Sequence, residues 1–120
     1  MYIAWLNVEK SNRTEIANGI SICEKVLGSD SFDGRTRANF RKRLARFQAL
    51  RANDIELTSP DESRTLRDQS VLSNILAYSE AVASQDPSTQ SYKERADNSI
   101  SIGLRRHLGS NDFDSFFRSY

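Results

Sequence analysis

Seven cationic side chains, Arg35, Arg37, Arg41, Lys42, Arg43, Arg46 and Arg51, fall between Gly34 and Asn53 with no carboxylate among them. Guanidinium groups in that number favour one chemistry, paired hydrogen bonds to the oxygens of phosphate or carboxylate. The whole chain is only +1, so with seven positive charges in this stretch the remainder sums to −6. Charge is therefore segregated along the sequence although the total is nearly balanced.

Placed on a helix, the stretch puts Phe40, Leu44, Phe47 and Leu50 on one apolar stripe and Arg35, Lys42 and Arg46 on the opposite face, flanked by Asn39 and Arg43. Arg37, Arg41 and Arg51 fall toward the apolar side or its border, where long stems cover the core while the charged ends reach water. Two readings of the basic face stay open. It is either a solvated surface whose charges pair with acidic neighbours, or a surface for phosphates or an acidic protein. The residues expected to grip an anion are Arg35, Arg41, Lys42, Arg43 and Arg46, with Arg105 and Arg106 as extensions of the track.

The other chemically capable residues are few. His107 is the sole histidine and sits near an expected helix end, where an imidazole ordinarily meets free carbonyls. Cys23 lies on an apolar stripe with Ile16, Ile20 and Leu27, which reads as a buried structural thiol. One His and one Cys do not make the usual zinc sets, and Asp30-Ser-Phe-Asp33-Gly34 lacks the oxygen spacing of a calcium loop. Asp112 and Asp114 read as acids in the first turn of a helix. No Gly-rich phosphate cradle and no nucleophile elbow is present. The expectation is a non-enzymatic protein with no cofactor and no metal site.

These side chains must be positioned by a chain of 120 residues, the length of one domain, so residues 1–120 are read as a single helical domain. Tyr2 to Val8 fit a helical turn or a short strand, with helix preferred. Asn12 is the expected N-cap of a helix carrying Ile16, Ile20, Cys23 and Leu27 and stopping at Gly28. Asp33 caps the basic helix, expected to run to about Ala52. Ser59-Pro60-Asp61-Glu62 has the makings of a capping box, opening a helix to about Ser84 that buries Leu66, Leu72, Ile75, Leu76, Val82 and Ala83. Pro87 ends it, and a further helix from Ser88 to Leu108 presents Tyr92, Ala96, Ile100, Leu104 and Leu108. A last helix from Ser110 or Asn111 carries Phe113, Phe116, Phe117 and Tyr120.

The predicted fold class is all-α, a compact bundle of four to five helices. The segments Leu27-Gly-Ser-Asp-Ser-Phe-Asp33 and Leu108-Gly-Ser-Asn-Asp-Phe-Asp114 are alike, which suggests two similar helix-turn-helix corners or simply the residues that any helical corner selects. The terminal aromatics either close the core or dock on another chain, with Phe113, Phe116, Phe117 and Tyr120 as its interface. No apolar run approaches the ~20 residues that cross a bilayer, and no secretion signal opens the chain. A cytoplasmic location follows as the default. Function is expected to be binding. The first hypothesis is a small nucleic-acid-associated module or nucleoprotein subunit that contacts phosphates through the basic helix. The alternative is a protein-protein adaptor or inhibitor using that face or the aromatic terminus, with homo- or hetero-oligomerisation left open.

Overall fold

Short punctuating residues set the helix limits. In the computed structural model, which describes residues 2–109 and the side chains of 13–104, there are four helices: α1 Tyr2–Leu27, α2 Gly34–Ile55, α3 Pro60–Ala83 and α4 Thr89–Gly109. No strand occurs among the described residues, so the class is all-α. α1 stops as Gly28 turns its N–H back to Glu24 O at 2.9 Å. α2 starts at Asp33, whose carboxylate accepts the Thr36 N–H at 2.8 Å. That hydrogen bond, helped by Thr36 and nearby Arg35, holds the Asp33 carboxyl below the ordinary range, so its contribution to folding is present at neutral pH and is lost as pH falls through that lowered value.

Several expectations are corrected. α1 runs through Asn12, which therefore caps nothing, because no Gly or Pro interrupts residues 2–18. Ser59 and Pro60 do open α3, but the Ser59 side chain makes no capping hydrogen bond. Glu62 turns instead toward Arg51, 3.9 Å away. The expected last helix and the second of the two similar corners lie outside the described residues.

Successive helices pack on one another, α1 on α2, α2 on α3 and α3 on α4, within a slab of 46 × 35 × 23 Å. The central α2–α3 seam is made of small residues. Ala38, Ala45 and Ala52 are buried on α2, and Ser63, Ser70 and Ala77 on α3, both sets at seven-residue spacing. The helices are antiparallel, so each step up one set is a step down the other. Ser63 Oγ donates to Ala52 O at 2.7 Å, Ser70 Oγ donates to Ala45 O at 2.6 Å, and Ala38 and Ala77 share one buried cluster. A hydroxyl one carbon from its backbone reaches a carbonyl on another helix only if the two backbones approach closely. The same step pairs Ser73 with Gln48 Oε1, at 2.8 Å. At the end of the seam a Cβ on Gly34 would stand 2.8 Å from Ser84 Cβ, so the close approach there requires glycine.

This seam overturns the expected core. Of the stripe Phe40, Leu44, Phe47 and Leu50, only Leu44 is fully buried, and Leu50 is exposed. On α3, Leu66, Leu72, Ile75 and Leu76 are half-buried, while Val82 and Ala83 are exposed. The physical reason is that serine hydroxyls can be satisfied by spare carbonyl lone pairs, which lets small polar side chains occupy a tight interface. Phe47 turns toward α1, where its ring lies over Gly19; a Cβ there would fall 2.6 Å from the ring edge. α4 follows expectation more closely: Tyr92 and Ala96 are buried, and Ile100 and Leu104 are half-buried. It is joined to α3 by Asn74 Nδ2 donating to Ser99 Oγ at 2.6 Å.

The α3–α4 corner closes with Asp86 N–H on Ala81 O at 2.9 Å and Gln85 N–H on Val82 O at 3.1 Å, the double reverse bond that normally selects glycine. Gln85 occupies that position with φ +56°. Three outcomes follow for chemical unfolding followed by circular dichroism. Ala45→Leu lowers stability by about 1–3 kcal/mol through overpacking of the seam, whereas Leu57→Ala, at a side chain 97% exposed, changes it by less than ~0.5 kcal/mol. Gln85→Gly raises stability by about 1 kcal/mol by relieving the left-handed backbone.

Candidate anion-binding groove

Because α2 turns its alanine face to α3, the seven cations of the basic stretch are divided. Arg37 and Arg41, one helical turn apart, converge on Glu80 of α3: Arg37 Nε donates to Oε1 at 3.1 Å and Arg41 Nε to Oε2 at 2.9 Å, all three side chains being 20–23% exposed. Arg37 also donates to Ser29 O at 2.9 Å, tying the α1–α2 corner into the same clamp. Arg41, expected to grip an anion with Arg35, Lys42, Arg43 and Arg46, is thus committed to an internal carboxylate and leaves that group. Arg51 is loosely neutralised by Glu62.

The other four make no ion pair among the described residues. Arg35, Lys42 and Arg46 lie along a groove between α2 and α4. One hollow along it, of about 380 Å³, is lined by Arg35, Thr36, Asn39 and Lys42 from α2 and by Asp86, Ser88, Ser91 and Tyr92 from the corner and α4. Farther along, a second hollow of about 310 Å³ is bordered by Lys42 and Arg46 and by Arg95, Asn98 and Ser99 of α4. Arg35 reaches back to Gln85 O at 3.4 Å. Lys42 Nζ sits 5.7 Å from the centre of the Tyr92 ring, within range of a cation–π contact. Burial, and then the charge of Asp86, push the Tyr92 phenol up. Asp86 is the one carboxylate lining either hollow among the described residues, and one of its oxygens already accepts the Ser88 N–H at 2.8 Å.

Arg43 points the other way. Its guanidinium lies 5.5 Å from the Phe40 ring centre and, with Arg46, rims a separate groove of about 580 Å³ between α1 and α2 whose walls include Glu15, Ile16, Phe47 and Leu50. The five nominated residues therefore do not form one cluster: three line the α2–α4 groove, Arg46 borders both, Arg43 serves the α1 side and Arg41 is internal. Arg95 escaped sequence reasoning, because a cation set among Lys93, Glu94 and Asp97 carries no signal until α4 is laid beside α2. Arg105, Arg106, His107, Phe113, Phe116, Phe117 and Tyr120 have side chains outside those described.

Cys23 is buried, and that burial raises its thiol pKa while Arg43 pulls the other way. It is a packing residue on α1. No group of three or more metal-ligating side chains occurs among the described residues, and no described helix is long and apolar enough to cross a membrane.

A comparison with protein-family models finds no match, and searches of curated proteins and of solved structures find none either. The site's geometry alone carries the functional argument.

Glu80 separates structural from available cations, and its replacement tests that division. Glu80→Gln leaves two half-buried guanidinium groups without a counter-charge and lowers stability by about 1.5–3 kcal/mol, measured by urea unfolding at neutral pH.

Proposed function

We propose that the protein is a small, non-enzymatic helical binding module that grips the phosphates of a nucleic acid through the α2–α4 groove. The observation that supports this reading is the partition of charge. Two arginines of the basic helix are consumed by Glu80, while Arg35, Lys42 and Arg46, joined by Arg95, border a groove that holds a single, already engaged carboxylate. Cations with no carboxylate partner among the described residues, set along a linear groove, suit a linear polyanion, and their contacts supply affinity and position without reading sequence. The one aromatic ring lining the groove, Tyr92, is buried, so no stacking platform for bases accompanies the cations. A cytoplasmic setting, as one component of a larger nucleoprotein assembly, and a fifth, aromatic helix belong to the same proposal.

A second reading is supported by the α1–α2 groove, whose apolar walls are rimmed by Arg43 and Arg46. There the protein is an adaptor that receives an acidic, amphipathic segment of a partner protein, as helix-in-groove recognition requires. The two readings separate by salt response and by variant.

Binding of the full chain to a generic single strand and a generic duplex, measured by fluorescence polarisation at two salt concentrations, is expected to weaken steeply with salt. A logarithmic slope of roughly −3 corresponds to three or four phosphate contacts. Lys42→Glu combined with Arg46→Glu is expected to reduce affinity about 10- to 100-fold. Unchanged binding in that double variant removes the groove from the mechanism.

A further inference from the structure

Resting on the phosphate-gripping reading, we infer that the hollow of the α2–α4 groove beside Asn39 is a site for a ribose-phosphate unit, so that the chain binds RNA in preference to DNA. The argument starts at Asn39. It lies four residues after Arg35 and three before Lys42, and side chains at those spacings are neighbours on one helix face. Its Oδ1 is buried and has no hydrogen-bond donor among the described residues. A buried amide oxygen without a donor is an unmet demand that native structures seldom tolerate, and here it belongs to a side chain that lines a hollow of about 380 Å³, within the roughly 300–1,000 Å³ range of ligand pockets.

The chemistry of a matching ligand follows from those neighbours. Arg35 and Lys42, which have no carboxylate partner among the described residues, ask for negative oxygens on either side. Asn39 asks for a donor between them. To meet such a donor, this side chain must rotate so that its buried oxygen reaches the cleft wall. A deoxyribose backbone presents phosphates and no donor. A ribose backbone presents a 2′-hydroxyl, both donor and acceptor, beside every phosphate. Ser88 and Ser91 on the opposite wall add hydroxyls that can donate to phosphate or accept from sugar. With no exposed aromatic ring in the hollow, the preference is for backbone type and not for base.

The test uses the full chain and three fluorescent single strands of one mixed sequence: RNA, DNA, and RNA carrying 2′-O-methyl groups, which keep the phosphates and remove the donor. The RNA is expected to bind about three- to tenfold more tightly than the DNA, the effect of one hydrogen bond, and the 2′-O-methyl strand is expected to fall to the DNA level. Asn39→Ala, checked for folding by its thermal melt, is expected to bind all three with DNA-like affinity. Equal binding of RNA and DNA by the unaltered chain overturns this inference and leaves the phosphate reading standing. Absence of binding to any strand at low salt overturns both. An RNA preference that survives 2′-O-methylation overturns the role given to Asn39, whatever the variant does.

Discussion

The arrangement of this molecule depends on how closely α2 and α3 approach. Ser63 and Ser70 reach across to the carbonyls of Ala52 and Ala45 at 2.7 and 2.6 Å, and they can do so only because alanine and serine, with nothing larger, stand at each seventh position of the contact. Side chains of that size place the backbones near enough for a hydroxyl to use the spare lone pair of a helix carbonyl. Once that seam forms, the rotation of α2 about its own axis is set. Every other residue of the basic helix takes its direction from it.

Rotation decides which charges do structural work. The side of α2 next to the seam carries Arg37 and Arg41, and across from them Glu80 offers one oxygen to each. That clamp is partly shielded from water, so its hydrogen bonds count for more than those of exposed pairs such as Arg64 with Asp61. On the other flank of the seam, Arg35, Lys42 and Arg46 face α4, whose groove-lining residues are mostly serine, asparagine and arginine. Those three make no ion pair among the described residues. The near-zero net charge of the whole chain conceals this, because Asp86 is the one acid that lines either hollow among the described residues.

α2 is also flanked by two unlike hollows. Toward α4 the lining is polar and basic, with an amide oxygen that has no donor among the described residues. Toward α1 the walls are Phe47, Leu50 and Ile16 under an arginine rim. The difference follows from the helix itself: its large apolar residues, displaced from α3 by the small-residue seam, turn to α1, where Gly19 leaves room for the Phe47 ring.

Much of the local structure was legible from residue types alone. The all-α class, the stop at Gly28, the cap at Asp33, the start at Ser59-Pro60, the end before Pro87, the buried Cys23 and the inward face of α4 all follow from propensity, capping and spacing, which act over a few residues and need no knowledge of distant partners. What packs on what was another matter. Hydropathy ranks Phe40, Phe47 and Leu50 above Ala38, Ala45 and Ala52 as core, yet the alanines hold the centre, because the fit of two helices depends on the shape of both surfaces. The same holds for the site: seven cations could be read from the sequence, but that Glu80 neutralises two of them, that Arg95 joins the groove and that Asn39 is left without a donor depend on residues 25 to 60 positions apart being brought together. Local chemistry wrote the helices, and only the packing between them decided which cations were left without a carboxylate partner among the described residues.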